Sequence, residues 1–171
     1  MITGEHIGVV PDEALYFHLR EQHPNDAVVV NTGSQRAVYA IAKNPLCMVS
    51  TDTGAYLPGE GHPQIAGSFP RFLREMVIDR AELSWEDAIW HMTYWPATVL
   101  GFGKKGRMQA GCDADLVILN PQTLCDRADF PGLGQPNAVP EGIDYVIVGG
   151  EIAAKDAKPT GVMAGRAIRI S

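Results

Sequence analysis

The sequence lacks several features that would assign it to a common class of protein. Its 171 residues carry 14 Lys and Arg against 20 Asp and Glu, a formal net charge of -6. It therefore lacks the basic excess of a nucleic-acid-binding surface. No apolar run approaches the roughly 18 residues that span a bilayer, and the first residues lack the basic and apolar regions of a signal peptide. We expect neither a nucleic-acid nor a membrane partner.

Cysteine and paired histidine are also scarce. The three cysteines are odd in number and widely spaced, which argues against a disulfide framework and leaves no Cys-x-x-Cys metal pair. The histidines form no His-x-His and no His-Glu-x-x-His motif. His6, His18 and His23 have no partner at a spacing typical of metal ligands. These features favour a reducing, cytoplasmic location.

The first part of the chain alternates helix and strand patterns. Residues 12–22 and 34–44 have apolar side chains at helical spacing. Residues 27–30 and 46–49 are short continuous apolar runs, typical of strands that are covered on both faces. This alternation predicts βα units with a parallel sheet, and so an α/β fold.

The pattern changes further along the chain. Residues 69–77 show the strongest helical periodicity, and Ser84 is a suitable N-cap for a following helix. After about Gly101, short strand patterns dominate, among them a hairpin over residues 145–153 with a Gly-Gly turn and a last strand within residues 161–170. We therefore predict two parts, an α/β section over residues 1–105 and a small β section over residues 106–171.

Asp52 is the most suggestive single residue. It lies just past the C-terminal end of the second apolar run and precedes Thr53-Gly54 and a loop rich in Gly and Pro. Reactive groups collect at the carboxyl ends of parallel strands, and a carboxylate there can bind a metal or move a proton. Asp before such a turn also commonly caps the turn, so both interpretations stay open. His62, in the same loop, is either a substrate contact or an ordinary hydrogen-bonding residue.

Several stretches resemble one family. Residues 48–54, 62–64 and 67–71 read Met-Val-Ser-Thr-Asp-Thr-Gly, His-Pro-Gln and Gly-Ser-Phe-Pro-Arg. They resemble the eighth-strand region of the amidohydrolase superfamily, nearest to its N-acyl-D-amino-acid deacylase (D-aminoacylase) branch. Residues 106–118 resemble the superfamily signature that ends in Ala-Asp-Leu-Val, and residues 146–150 resemble its closing hairpin.

The resemblance implies a fold and a set of roles. It implies that residues 1–105 form part of a (β/α)8 barrel, about the last two strands with their helices, and that residues 106–171 form a share of a small C-terminal β-sandwich. Asp52 would be the catalytic acid/base and a metal ligand, and Thr53, Gly54 and His62 would bind substrate. The deacylases usually have Gly where this sequence has Thr53, which affects the substrate assignment.

The resemblance also implies zinc or another divalent metal in the complete enzyme. Such a metal needs about three or four protein ligands, and of the family's ligands only Asp52 is matched. The leading hypothesis is a C-terminal fragment or subunit of a metal-dependent amidohydrolase that hydrolyses non-peptide C–N bonds. Its partners would be the missing N-terminal barrel portion or a complementary chain, a small-molecule amide substrate, and further copies of itself.

The sequence leaves two alternatives open. The chain could be a non-catalytic remnant that serves as an assembly or binding module, because a truncated barrel leaves strand edges and apolar faces uncovered. It could also be a small α/β binding protein in which Asp52 is only a turn residue.

Overall fold

A computed structural model describes residues 1–31, 33–52 and 54–168 of the protein. Within these residues, five α-helices and one π-helical turn precede a sheet of four strands. The elements are α1 (Glu13–Gln22), α2 (Gln35–Ala42), α3 (Gln64–Leu73), the π turn (Arg74–Asp79), α4 (Trp85–Met92), α5 (Tyr94–Val99), β1 (Leu116–Leu119), β2 (Ile143–Val148), β3 (Glu151–Lys155) and β4 (Lys158–Pro159). The mixture of helices and strands fits the predicted α/β class. In the described part of the chain, no helix combines the length and the apolar character needed to cross a membrane.

The predicted helices are confirmed. The Asp12 side chain caps α1 by accepting the backbone N–H of Leu15 at 2.8 Å. Ser84 caps α4 by accepting the N–H of Asp87 at 3.0 Å, and its hydroxyl donates to the Asp87 carboxylate. These side chains satisfy backbone donors that a first helical turn leaves unpaired.

The two strands predicted at residues 27–30 and 46–49 are wrong, because neither segment forms a strand. A parallel strand is stabilised by ladder bonds to its neighbours and by cover on both faces. Here the side chains of Val30 and Leu46 are 64% and 76% exposed. The apolar residues are present as predicted, but the described part of the chain supplies no adjacent strand for them.

The sheet is an antiparallel meander in the order β1-β2-β3-β4. The predicted hairpin is confirmed, since β2 and β3 are joined by Gly149 and Gly150 at φ 58° and 89°. Two consecutive positive φ angles are the requirement of a tight two-residue turn that glycine meets. The last strand lies earlier than predicted: β4 precedes residue 160, residues 161–168 form no strand, and residues 169 and 170 lie outside the described residues.

The main core joins the helices to the loop that follows β1. Leu73 of α3, Ala88 of α4 and Leu124 are all at least 97% buried and form its centre. Partly buried side chains from Leu119 of β1 and Ile143 of β2 pack against this cluster. The core therefore fixes α3, whose first residues reach the candidate site, against the sheet.

Candidate active site

Asp52 lies in a sharp backbone turn. Its φ is 44°, in the left-handed region that Asp tolerates better than most residues. Its N–H donates to Ser50 Oγ at 3.4 Å, and its carbonyl oxygen accepts from Gln64 Nε2 at 2.5 Å. The residue is exposed. The backbone is thus held on both sides of a solvent-accessible carboxylate.

His62 precedes α3 and is partly buried. Its Nδ1 accepts the backbone N–H of Gln64 at 3.1 Å, and its ring meets Phe130 edge to face with 4.8 Å between the ring centres. Burial lowers the pKa of His62 below its ordinary value, and the positive charge of Arg71 lowers it further. A neutral ring that accepts at Nδ1 carries its proton on Nε2, so Nε2–H is the donor that His62 offers.

Gln64 connects the two predicted residues and was not predicted as a functional residue. Its backbone N–H binds the His62 ring, and its side-chain amide binds the Asp52 carbonyl. It is the first residue of α3, and its place directly after His62-Pro63 was the available signal. The fold therefore ties the Asp52 turn to the start of α3 through one side chain.

Arg71 anchors the loop that carries Phe130. Its Nε donates to the Asp126 carboxylate at 2.8 Å, and its Nη2 lies 2.7 Å from a carboxylate oxygen of the same residue. The Ala128 N–H donates to this carboxylate at 2.9 Å. The Asp126 side chain is only 7% exposed. This anchor fixes the loop that carries Phe130, and so the ring against which His62 packs.

His91 holds the segment that leads into Asp52. Its side chain is buried, its Nδ1 lies 2.8 Å from the Cys47 carbonyl oxygen, and its own carbonyl accepts the Val49 N–H at 3.4 Å. Because a carbonyl oxygen only accepts, Nδ1 must carry the proton. These contacts give His91 a structural role in the segment before Asp52.

A cleft of about 340 Å³ lies beside this segment. It is bounded by α2, residues 47–50, α3 and the π turn, and apolar side chains dominate its walls. Polar groups along it come from Tyr39, Ser50, Ser68, Arg71, Glu75 and His91. A few polar groups on an apolar wall are typical of a small-molecule site.

The two other predicted substrate-binding residues are Thr53 and Gly54. Gly54 is exposed, and Thr53 lies outside the described residues. In the described part of the chain, no group of three potential metal ligands includes Asp52. These residues alone therefore do not fit a metal centre at Asp52, and the catalytic, substrate-binding and metal roles assigned from sequence stay predictions.

Comparison with known proteins places the chain in a family. The model of the amidohydrolase family matches residues 19–154. An N-acyl-D-glutamate deacylase from Alcaligenes xylosoxydans xylosoxydans is 34% identical over 128 residues, which cover 74% of this chain and 25% of that protein. A D-aminoacylase from the same organism is 36% identical over 107 residues, 63% of this chain and 22% of the relative.

A solved structure gives the same relation. N-acyl-D-glutamate deacylase from Bordetella bronchiseptica, in complex with zinc and a phosphonate inhibitor, superposes with a TM-score of 0.62 at 34% identity and covers 77% of this chain and 28% of that one. A D-aminoacylase described with a binuclear metal centre superposes with a TM-score of 0.58 at 37% identity, over 61% of this chain and 22% of that one. The chain spans about a quarter of the length of the curated relatives it matches. It belongs to the amidohydrolase family and lies near the D-aminoacylase branch of that family.

Proposed function

We propose that this chain supplies the Asp52 side of the active site of an N-acyl-D-amino-acid deacylase. The observation that carries the proposal is the exposed Asp52 carboxylate on a backbone turn that Gln64 fixes, in a chain of this family. The names of the deacylase relatives support N-acyl-D-amino acids as the substrate class.

The proposed chemistry is hydrolysis of an amide. Water attacks the acyl carbonyl carbon, and Asp52 accepts the proton that this water loses. When the C–N bond breaks, Asp52 returns the proton to the leaving nitrogen, which yields a carboxylic acid and the free amine of the D-amino acid. A carboxylate can serve as base and then as acid within one cycle. His62 would bind the substrate, donating from Nε2–H to a substrate oxygen.

The metal in this proposal belongs to the complete enzyme. Solved relatives contain zinc or copper, and one is described with a binuclear centre. Such an ion polarises a carbonyl and acidifies water when bound. We propose that its main ligands come from protein outside these 171 residues, because the described residues form no metal-binding group around Asp52.

The proposed partner is the rest of a barrel. Residues 1–105 would contribute the end of a (β/α)8 barrel, and residues 106–171 a share of a small β-sandwich. The exposure of apolar side chains in the segments predicted to be barrel strands supports this division, as Val30 and Leu46 illustrate. Pairing with the missing strands would remove those side chains from water, which stabilises the assembly by about 25 cal/mol per Å² of apolar area buried. Without that partner, the same surface would favour self-association.

Complementation tests the proposal. The chain is mixed with the part of N-acyl-D-glutamate deacylase that it does not match, in the presence of zinc, and the release of D-glutamate from its N-acyl derivative is measured. We expect activity only from the mixture. Asp52→Asn should lower the rate by about 10²- to 10⁴-fold, the range for a general acid/base.

Asp156→Asn is the matched control, because Asp156 is also an exposed Asp at positive φ (49°). It should leave the rate unchanged. Comparable activity from the chain alone would overturn the division of the site between two pieces. A mixture that assembles and is active but ignores Asp52→Asn would remove Asp52 from the chemistry.

A non-catalytic assembly module is the second candidate. The lack of a metal-binding group around Asp52 within the described residues, together with the exposed apolar segments, favours it. It predicts that the chain binds the complementary piece or itself in sedimentation experiments, while the mixture releases no amino acid.

A further inference from the structure

Three potential metal ligands meet at the start of the chain. The imidazoles of His6 and His23 and the carboxylate of Asp26 offer ligand atoms that all lie within 4.8 Å of one another. Among residues 1–31, 33–52 and 54–168 this is the one such group. No local motif indicates it, because the two histidines lie 17 positions apart in the sequence.

Backbone contacts hold the three residues together. The loop that carries His6 is joined to the segment after Asp26 by a bond from Ile2 N–H to the Ala27 carbonyl at 2.9 Å. The Thr3 hydroxyl oxygen accepts the Ala27 N–H at 2.7 Å. His23 ends α1, and its carbonyl accepts the Asp26 N–H at 3.1 Å. The cluster therefore rests on a main-chain framework as well as on side-chain packing.

Two atoms of the cluster are buried without a partner. His6 Nδ1 and Asp26 Oδ2 are shielded from solvent and have no hydrogen-bond partner in the described structure. Only one other described side-chain atom, Trp95 Nε1, is in the same condition. Leaving such a group buried and unsatisfied is unfavourable. A shared cation would satisfy both atoms at once.

Packing directs the Asp26 carboxylate. Gly4 has a φ of 77°, and a Cβ built there would collide with both carboxylate oxygens of Asp26. On the imidazole side, the His6 and His23 rings meet edge to face, with 4.8 Å between their centres. Glycine at position 4 therefore lets the carboxylate lie close to the main chain within reach of both rings.

We propose that His6, His23 and Asp26 bind one divalent transition-metal ion of the zinc type. Two imidazoles and a carboxylate suit zinc, cobalt or nickel better than magnesium or calcium, which prefer oxygen ligands alone. Ligand atoms around tetrahedral zinc lie about 3.3 Å apart, so modest side-chain rotations close the site. Water completes the coordination, and the ion links the N-terminal loop to the end of α1. The three ligands include neither Asp52 nor His62.

Titration calorimetry with zinc chloride on the full, metal-stripped chain tests the proposal. We expect one equivalent of zinc to bind. His23→Gln and Asp26→Asn should each weaken binding by at least tenfold, since even groups that only support a ligand contribute 10- to 100-fold. His18→Gln, which alters an exposed histidine on the same helix, should bind zinc as the wild type does.

Proton NMR on the wild-type chain gives a second readout, in which zinc binding is followed on the unaltered protein. Zinc should shift two histidine ring resonances, which His6→Gln and His23→Gln would assign. Absence of one-equivalent binding, or equal binding by His23→Gln and the wild type, overturns the proposal. Equal loss in His18→Gln would overturn it as well. None of these results bears on activity in the complementation assay.

Discussion

Replacing Gly67 by alanine should destabilise the protein, although alanine favours a helix. Gly67 is buried within α3, and a Cβ there would lie 2.6 and 2.8 Å from the carboxylate oxygens of Asp126. Ordinary contact begins near 3.4 Å, so the carboxylate would have to retreat by about 0.7 Å in a close-packed region. Arg71 and the Ala128 N–H hold that carboxylate at 2.7–2.9 Å.

The magnitude follows from two opposing effects. Stretching the contacts that hold the Asp126 carboxylate loses about 1.5–3 kcal/mol, the range for hydrogen bonds to charged groups, and the half-exposed Arg71 places the loss near the lower end. Alanine regains about 1 kcal/mol of helix propensity relative to glycine. We therefore expect Gly67→Ala to lower the free energy of unfolding by about 1 kcal/mol.

Urea unfolding, followed by circular dichroism, measures this change, and a double-mutant cycle identifies its cause. In an Asp126→Ala background the obstacle is gone, so Gly67→Ala should stabilise by up to about 1 kcal/mol. Gly103→Ala is the control, because nothing lies within 4 Å of its Cβ position. Stabilisation by Gly67→Ala in the wild-type background would refute the close approach of α3 to Asp126.

Three further side chains, two near the site and one just before β1, give testable changes in stability. His91→Leu removes the donor to the backbone carbonyl that His91 binds and should lower the free energy of unfolding by about 1–3 kcal/mol. His91→Asn keeps an amide donor, so it should lose much less stability in the same urea assay. Equal losses in the two variants would contradict the role of that hydrogen bond. Burial and the charge of Arg71 lower the pKa of His62 in the folded state below its ordinary 6.5. The unfolded chain therefore takes up the proton more readily than the folded one. The free energy of unfolding should be fully present above pH 6.5 and should decrease as the pH falls through the folded pKa. His62→Gln should flatten that part of the stability profile, while His18→Gln should not. Asp115→Asn should lower the free energy of unfolding by about 1 kcal/mol at pH 7. In the wild type, hydrogen bonds from Lys105 and then from a backbone N–H lower the pKa of the Asp115 carboxyl. The difference between variant and wild type should therefore disappear at acid pH, where the wild-type carboxyl takes up a proton.

Local chemistry made the helices and the hairpin predictable. Asp12 and Ser84 are effective caps because their side chains reach backbone donors within three residues. Gly149 and Gly150 determine the turn because they accept positive φ without strain. None of these effects requires a distant part of the chain, so the sequence contains all the information they need.

Elements that depend on distant partners were not predictable in the same way. The apolar run at residues 27–30 indicates a buried strand, but a strand forms only when another lies beside it. The contact between Gln64 and the Asp52 carbonyl, and the meeting of His6 with His23, depend on loop paths that no local pattern encodes. The position of Asp52 was identified from sequence, whereas the way in which its turn is held required the structure.

The π turn at Arg74–Asp79 gives the protein a place to absorb changes in chain length. There the Arg80 N–H donates to the Glu75 carbonyl at 3.0 Å, five residues back instead of the four of an α-helix. Each such turn contains one residue more than the α turn it replaces. Deletion of one residue within the π turn would therefore convert it to an α turn and leave the flanking segments close to their present positions. Length differences of one residue among relatives should concentrate at this turn, and α3, with the site residues that it carries, would keep its register.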